Sequence, residues 1–210
     1  EYGVAHRQDG AGELAGQIGR PISQSPGEMR GFEERARHMI TIAPDALADV
    51  PADLRPGFTR FIRREPLGVV FIVAPWNYPY LTSVNGVVPA LMAGNAVIMK
   101  HSAQTPLCAE RFAKAFKAAG LPKGLFQFLH MDHGDTLKLI GTDGIDYVNF
   151  TGGVSAGHAI VQAAQEVAEG KLIGKPDAWQ VLDDGAQPCS GPALAAGKDG
   201  SFLLVYSVDG

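Results

Sequence analysis

One stretch in the first half of the sequence, residues 64–100, constrains the fold more than any other part of the chain. It contains two short apolar runs, Val69–Ala74 and Ala96–Met99, separated by a helix-length segment that ends near Gly94. Short, continuous runs that are rich in β-branched residues and bounded by Gly and Pro are typical of buried parallel strands. The stretch therefore predicts a strand–helix–strand unit of a parallel sheet.

Each apolar run leads into residues that can bind ligands. Pro75, Trp76 and Asn77 follow the first run, and Lys100 ends the second. In open α/β sheets, ligands bind outside the carboxyl ends of the strands. We therefore expect Asn77 and Lys100 to lie at one edge of the sheet, where a cofactor and a reacting group can meet.

The sequence after residue 100 continues this alternation of apolar runs and helix-length segments. It predicts strands at 68–74, 95–100, 124–129 and 145–150, and helices at 81–92, 106–119, 134–141 and 154–168. Thr105 followed by Pro106 is a favourable helix start, with Thr105 as the N-cap residue. The predicted fold class is α/β, with a parallel, doubly wound, Rossmann-like sheet.

The N-terminal part of the chain predicts helices and a connector. Helical character is brief at Glu13–Ile18, and apolar residues at spacings of three and four indicate an amphipathic helix over Met29–Ile42. Pro44 is expected to end that helix. A proline-rich connector is predicted at 44–57, and Phe58–Arg64 is predicted to form a strand with one exposed face.

These patterns divide the chain into three segments. We expect an N-terminal helical and connector segment at 1–65, an α/β domain at 66–168, and a tail at 169–210. The tail is rich in Gly, Ala, Pro and Asp and has no sustained periodicity, so its structure is not predicted beyond one strand at Ser201–Val208.

Composition excludes several classes of protein. The net charge of −4 argues against a nucleic-acid partner, which needs a basic face. No apolar run approaches the roughly 18–20 residues that span a bilayer, and no signal segment opens the chain, which begins with Glu1 rather than Met. Two cysteines are too few for a disulfide framework or a cysteine zinc site, so we expect a cytoplasmic protein without membrane contact.

Two polar side chains at predicted strand ends have two interpretations each. Asn77 can donate to an oxygen that gains negative charge in a transition state, or it can be a turn residue that bonds its own backbone. Lys100 can extend to water, or it can bind an anion or a ribose hydroxyl. Ser102 and Ala103 are small and carry no charge, so a phosphate beside Lys100 would meet no repulsion.

A glycine turn follows the predicted strand at 145–150. Gly152 and Gly153 allow close approach of the backbone to a pyrophosphate at the start of a helix, although the pattern lacks the G-x-G-x-x-G spacing and the P-loop lysine. His130 and His133 have i, i+3 spacing with Asp132 nearby, but a polar turn is favoured over a metal site.

The two cysteines differ in context. Cys108 lies within a predicted helix among apolar residues and is expected to be a small buried hydrophobe. Cys189 lies in a Gly- and Pro-rich segment and is the only candidate nucleophile, although an incidental loop thiol is favoured over that role.

Taken together, several segments resemble the aldehyde dehydrogenase superfamily. The strings that occur in the family's order and spacing are EPLGVVFIVAPWNYP, GNAVIMKHSAQTPL, AAGLPKGLFQFL and GIDYVNFTGGVSAGHAI. GRPISQSPGEMRGFEERARHM resembles the preceding helical region of the family. The resemblance covers residues 12–165, and its specificity comes from several motifs in one order.

The resemblance implies a nicotinamide cofactor, NAD or NADP, and oxidation of a small-molecule aldehyde to a carboxylic acid by way of a thiolate. By position, Asn77 is the expected oxyanion donor, and Lys100 is the expected ligand of the adenosine ribose. The other residues expected at the cofactor are Pro75, Trp76, Ser102, Ala103, Gly152 and Gly153.

The chain departs from the family pattern at two positions of the expected cofactor site. Many NAD-preferring members have a glutamate at the position of Ala103, so its absence leaves NADP open. Gly153 stands where the family commonly has a serine, which removes one hydroxyl that can bind phosphate.

A larger departure follows residue 165. Lys171–Lys175 (KLIGK) has a lysine where the family's Glu-Leu-Gly-Gly-Lys segment supplies a general base, and Cys189 comes much too early for the family's nucleophile. A truncated, frameshifted or diverged C-terminus explains this equally well. We expect little or no turnover from this chain and no normal family oligomer. Two alternatives to an active enzyme remain: a non-catalytic dinucleotide- or partner-binding module, and an inactive fragment.

Overall fold

The computed structural model describes residues 5–51, 53, 56, 59–171, 192–196 and 202–207. Its helices are α1 (Arg7–Ile18), α2 (Ser25–Leu47), α3 (Pro79–Met92), α4 (Pro106–Ala118), α5 (His133–Ile140) and α6 (Val154–Lys171). Its strands are β1 (Val50–Pro51), β2 (Phe61–Ile62), β3 (Val69–Val73), β4 (Ala96–Lys100), β5 (Phe126–Phe128), β6 (Tyr147–Gly152), β7 (Pro192–Ala196) and β8 (Phe202–Ser207). Within the described residues, no helix has the length and apolar character needed to cross a bilayer.

The main sheet has six strands in the order β5-β4-β3-β6-β8-β7. Its first four strands are parallel, each joined to the next in sequence by a helix, and this confirms the predicted α/β, Rossmann-like fold. β8 lies parallel to β6 within the predicted strand Ser201–Val208, while β7 runs antiparallel to β8 and was not predicted.

The central position of β3 in the sheet explains why the sequence of this strand is apolar throughout. Val70 and Ile72 face a core cluster that contains residues of α1, α2, α3 and α4, whereas Phe71 and Val73 face a second cluster with residues of β6, α5 and α6. Successive side chains of a strand point to opposite faces, so a strand covered on both sides has no position for a polar residue. The sheet is therefore the middle of three layers.

Two N-terminal predictions were wrong. Helix α2 runs through Pro44 and ends at Leu47, because a proline near the end of a helix removes only one backbone bond and Ala43 is buried beside it. Helix α1 begins at Arg7 rather than Glu13. Its glycines hide it in the sequence, but Gly10 lets the helix pack closely, since a side chain there would touch Met29.

The predicted strand Phe58–Arg64 is confirmed only at Phe61–Ile62, which pairs antiparallel with β1. Both of its residues are exposed, so the predicted alternation between a buried and a wet face is not found. A two-residue ribbon of this kind has no core of its own.

A close contact at the start of β3 gives the first testable prediction. Gly68 has φ +125°, and a Cβ there would overlap the Asp146 carboxylate, which accepts a 2.8 Å hydrogen bond from the Val69 N–H. We expect Gly68→Ala to lower the free energy of unfolding by about 3 kcal/mol, because it adds backbone strain and breaks this contact. Chemical denaturation measures the loss.

Gly124→Ala is the matched control, because Gly124 has φ +96° but open space at the position of a Cβ. It isolates the cost of the backbone conformation, which is about 1 kcal/mol. Equal losses for the two variants would show that the Asp146 contact contributes nothing.

Candidate functional site

Two strands, β3 and β4, end at the same level on the carboxyl edge of the sheet, and β6 continues two residues beyond it. Val73 of β3 is paired with Lys100 of β4 on one side and with Phe150 of β6 on the other. The Ala74 N–H continues this register and donates to the Lys100 carbonyl at 3.1 Å. The structure thus brings the Asn77 turn, the Lys100 strand end and the glycine turn after Phe150 to one edge of the sheet.

Lys100 is an ammonium ion held almost out of water, with only 4% of the residue exposed. Burial lowers the pKa of Lys100, and the carboxylate of Asp132 acts in the opposite direction. That carboxylate is the N-cap of α5, where it accepts a 2.8 Å hydrogen bond from the Asp135 N–H. Among the described residues none hydrogen-bonds the Lys100 ammonium, so its three donors remain for a ligand.

The loop after Lys100 offers small residues. Ser102 is half-buried, and its hydroxyl accepts a 3.3 Å hydrogen bond from the Gln104 N–H, while Ala103 is exposed. Neither residue adds a negative charge next to the ammonium. An anionic group that reached Lys100 along this loop would meet no carboxylate at these two positions.

Asn77 shows that its two interpretations are compatible. Its side-chain oxygen accepts a 3.1 Å hydrogen bond from the N–H of Tyr78, as expected of a turn residue. This bond uses the oxygen and leaves the amide nitrogen, which donates no hydrogen bond to any described residue. Pro75 and Trp76 precede it, half-buried and exposed respectively. The local backbone bond therefore orients the amide as a donor.

A largely buried ion pair between Arg20 and Glu28 contacts the Asn77 turn. One guanidinium nitrogen of Arg20 donates to the Glu28 carboxylate, and the other donates to the Asn77 carbonyl. The guanidinium also lies over the Tyr78 ring, 4.5 Å from its centroid. Arg20, from the link between α1 and α2, therefore fixes the backbone of the turn at Asn77.

Glu28 also caps helix α3 from another helix. Pro79 is the first residue of α3, and the next two N–H groups, of Tyr80 and Leu81, have no partners within the helix. The Glu28 carboxylate accepts both, at 2.8 and 3.4 Å. Negative charge at a helix N-terminus is favourable, so Glu28 stabilises the helix that carries the Asn77 turn.

His101 connects the end of β4 to two helices. Its Nδ1 accepts from the Ser102 N–H at 3.0 Å and lies 2.8 Å from the Thr105 hydroxyl. Its Nε2 lies 3.2 Å from the carbonyl of Pro79 and 3.2 Å from the hydroxyl of Ser83. The residue is buried, so these contacts replace water at every polar atom of the ring.

The two glycines of the turn after β6 differ in the space around them. A Cβ on Gly152 would lie 2.5 Å from the Phe150 ring, whereas one on Gly153 would meet nothing within 4 Å. Helix α6 begins immediately afterwards, at Val154. The open approach for an anion is therefore at Gly153 and the helix start, a distinction that the sequence pattern does not make.

The structure distinguishes the remaining candidate residues, the cysteines and the histidines. Cys108 is buried as expected, and burial raises the pKa of its thiol to about 12. His130 lies 3.3 Å from the Glu110 carboxylate, and Asp132 caps α5, which confirms the predicted polar turn. In the described part of the chain, no three potential metal ligands form a group. Cys189 lies outside the described residues.

Sequence reasoning missed Arg20, Glu28 and His101. The first two lie 57 and 52 residues from the groups they bind, and their segment shows only an amphipathic helix. His101 is adjacent to Lys100 and is followed by Ser102 and Thr105, whose hydroxyls are natural partners for an imidazole. That short pattern was the only indication in the sequence that His101 is held by hydrogen bonds.

Known proteins match this chain over most of its length. The sequence model of the aldehyde dehydrogenase family matches residues 4–174. The chain is 38% identical over 136 residues to an aldehyde dehydrogenase of Paenarthrobacter nicotinovorans, which covers 65% of this chain and 29% of that protein. It is 30% identical over 196 residues to the NAD(P)+ succinate semialdehyde dehydrogenase Sad of Escherichia coli strain K12. That match covers 92% of this chain and 42% of Sad.

A solved structure agrees with these sequence matches. PnpE from Pseudomonas sp. WBC-3, in complex with nicotinamide adenine dinucleotide, superposes with a TM-score of 0.74 at 26% identity, over 80% of this chain and 34% of that chain. The present chain therefore spans between 29% and 42% of the length of the two curated relatives.

The buried ion pair below the Asn77 turn gives the second prediction. We expect Glu28→Gln to lower the free energy of unfolding by about 3 kcal/mol, because it leaves the largely buried Arg20 without its counter-ion. Denaturation measured by circular dichroism tests this. Asp135→Asn, at an exposed pair with Lys138, is the control and should change stability far less. Equal losses would contradict the structural role of Glu28.

Proposed function

Because this chain belongs to the aldehyde dehydrogenase family, we propose that it supplies the cofactor-binding half of an NAD(P)-dependent oxidoreductase. Its reaction is the oxidation of a small-molecule aldehyde to a carboxylic acid. The proposed cofactor-binding domain is residues 66–168, with 1–65 as its helical support and 169–210 as a separate tail. A cytoplasmic location, supported by the low cysteine content, is part of the proposal.

One observation carries the proposal: only 4% of Lys100 is exposed, and its ammonium has no hydrogen-bond partner among the described residues, although it lies at the carboxyl edge of a parallel sheet. The Asp132 carboxylate acts on this ammonium without a hydrogen bond to it, so a ligand that accepts hydrogen bonds from the ammonium would be favourable there. The vicinal hydroxyls of a ribose, or a phosphate attached to one of them, supply the acceptors that Lys100 lacks. Carboxyl edges of such sheets bind dinucleotides.

The other residues at this edge fit the same ligand. Gly153 and the start of α6 offer open backbone N–H groups for a pyrophosphate, since nothing lies within 4 Å of a Cβ at Gly153. Pro75 and Trp76 lie between the end of β3 and Asn77 at the same edge of the sheet, where we propose that they contact the cofactor. Phe150 covers Gly152, so we assign Gly152 to shaping the turn and Gly153 to ligand contact.

In the proposed reaction, a nucleophile adds to the aldehyde carbon, the nicotinamide, when bound, would take up the hydride that this tetrahedral carbon releases, and water supplies the second oxygen of the acid. Asn77 donates its amide N–H to the substrate oxygen as that oxygen gains negative charge, and the bond from Tyr78 to Oδ1 holds the amide in the donating orientation. Arg20 holds the backbone of the turn, so the amide need not reorganise as the charge develops.

The loop after β4 favours NADP over NAD. Lys100 supplies positive charge, Ser102 a hydroxyl, and Ala103 no carboxylate that would repel a phosphate on the ribose. The NAD(P)+ named for the relative Sad supports both cofactors as probes.

The third prediction tests Lys100. We expect Lys100→Met to weaken NADP binding by about 10- to 100-fold, because it removes a charge-assisted hydrogen bond while keeping an apolar stem of similar length. Titration of the chain with NADP, followed by protein fluorescence, measures the change. If neither NADP nor NAD binds the wild-type chain, the proposed function is wrong.

Ala103→Glu provides the matched specificity control. A carboxylate beside Lys100 is expected to weaken NADP binding by about tenfold, because it repels the ribose phosphate, and to weaken NAD binding less. An equal effect on both nucleotides would place the ribose elsewhere.

A second candidate function is nucleotide binding without catalysis. Cys108 is the one cysteine among the described residues, and its buried thiol, with a pKa of about 12, is not a thiolate near neutral pH. Catalysis by this chain would therefore depend on Cys189. If Cys189 does not reach the Asn77 turn, the chain binds the cofactor but does not oxidise aldehydes.

The fourth prediction separates these two functions. We expect the chain to bind NADP but to show little or no NADP-dependent oxidation of a panel of small aldehydes. Absorbance of the reduced nicotinamide follows the reaction. Turnover by the wild type that is abolished in Cys189→Ser would refute the binding-only function, whereas turnover unaffected by that change would point to a contaminating enzyme.

A further inference from the structure

Lys100 is followed by a buried histidine that the proposed chemistry does not use. We propose that His101, as the neutral tautomer with its proton on Nε2, is a positioning residue that fixes the Lys100 strand end relative to the Asn77 turn. The inference rests on the proposed nucleotide function and adds to it a specific route by which the two ligand-facing residues are held in register.

The hydrogen bonds of His101 reach both functional segments. Nε2 lies 3.2 Å from the carbonyl of Pro79, which is two residues after Asn77 and begins helix α3. Nδ1 lies 2.8 Å from the hydroxyl of Thr105, the N-cap residue of α4. Because His101 follows Lys100 directly, the ring ties the Lys100 strand end to the first residues of two helices.

The neighbouring backbone selects the tautomer. The Ser102 N–H can only donate, so Nδ1 must present a lone pair, and it also accepts from the Thr105 hydroxyl. Nε2 then carries the proton and donates to the Pro79 carbonyl, which can only accept. The Ser83 hydroxyl completes the set by donating to the same carbonyl at 2.5 Å.

Burial keeps this arrangement neutral. Only 3% of His101 is exposed, and burial lowers the pKa of its imidazole to about 4; the hydrogen bond to the Pro79 carbonyl opposes this shift, and the charges of Lys100 and His130 add to it. Between pH 4 and 6.5 the unfolded chain therefore binds a proton that the folded chain does not, so protonation of His101 opposes folding as the pH falls. In the folded chain the ring, and with it the crosslink, stays neutral down to about pH 4.

The same contacts argue against a role for His101 in proton transfer. Both ring nitrogens are engaged by protein groups, and the ring is enclosed by the strand end and two helices. A general base needs a free lone pair that reaches the substrate. His101 therefore acts through Lys100 and the Asn77 turn rather than on a ligand.

The experiment compares His101→Phe, which keeps a ring but no hydrogen bonds, with His101→Gln, whose amide can still donate to Pro79. NADP is the probe, and its affinity for the full 210-residue chain is measured by fluorescence titration. We expect His101→Phe to weaken binding by about tenfold and His101→Gln to stay within about threefold of the wild type.

A double-mutant cycle with Lys100→Met makes the test specific to positioning. If His101 acts by placing Lys100, His101→Phe should have little further effect on NADP affinity once the ammonium is absent. If the two losses multiply as independent factors, the inference is overturned. It is also overturned if His101→Phe retains full affinity for NADP.

Asn95→Ala is the matched control for loss of a buried polar crosslink. Asn95 precedes β4 at the opposite end of the strand, where its side-chain oxygen accepts from Leu67 and Gly68 at 2.7 and 3.0 Å. Its loss should lower the melting temperature but leave NADP affinity unchanged. A similar loss of affinity in Asn95→Ala would mean that His101 contributes only general stability, which overturns the inference.

One measurement on the wild-type chain does not depend on nucleotide binding. Imidazole nitrogen NMR, with His101 assigned by comparison with His101→Gln, should show a neutral ring protonated at Nε2 at pH 6. A charged ring, or one protonated at Nδ1, overturns the inference even if NADP binds. If the ring has the expected form but no nucleotide binds, the proposed function fails, and the crosslink is then tested by amide exchange at the Asn77 turn. Faster exchange in His101→Phe supports the crosslink, and unchanged exchange overturns it.

Discussion

The burial of polar side chains at the carboxyl edge of the sheet is the constraint on which the site depends. Glu28, Lys100 and His101 are each more than nine-tenths buried there. A buried polar group without partners costs several kilocalories, and no fully buried side-chain nitrogen or oxygen of the described residues lacks a partner. Glu28 and His101 are satisfied by the backbone and side chains of neighbouring elements, whereas no described residue hydrogen-bonds the Lys100 ammonium. This difference separates Glu28 and His101, which build the edge, from Lys100, which we propose binds the cofactor.

The alternation of strands and helices was predictable because it follows from local sequence. β3 is covered on both faces, so its sequence has no polar position, and β4 has the same apolar character up to Lys100. The failures lie where tertiary packing overrides local preference. Pro44 stays inside α2, and α1 begins among glycines because close packing against Met29 requires a small residue. Neither packing contact is visible in the sequence of a single segment.

The site was predictable to the extent that it depends on strand ends. Asn77 and Lys100 were predicted to lie at one edge because a residue that follows a buried parallel strand lies at the carboxyl edge of the sheet, and the structure brings both strand ends to that edge. The residues that hold them were not found, because Arg20 and Glu28 reach the Asn77 turn from another helical segment. Side chains from before and after residue 65, such as Leu14 and Ile72, belong to one core cluster. The N-terminal helices therefore form part of the support of the site.

Thr105 shows how a correct local prediction can conceal a functional contact. Its position as N-cap of α4 was predicted and is confirmed, but its hydroxyl makes no capping bond and instead bonds His101. The Leu107 N–H near the start of α4 is satisfied by the side chain of Gln17 from α1, at 3.1 Å. An N-cap residue normally uses its side chain for its own helix. Because α1 supplies a substitute acceptor here, Thr105 can hold the imidazole behind Lys100, and the N-terminal helix thereby influences the charged end of β4.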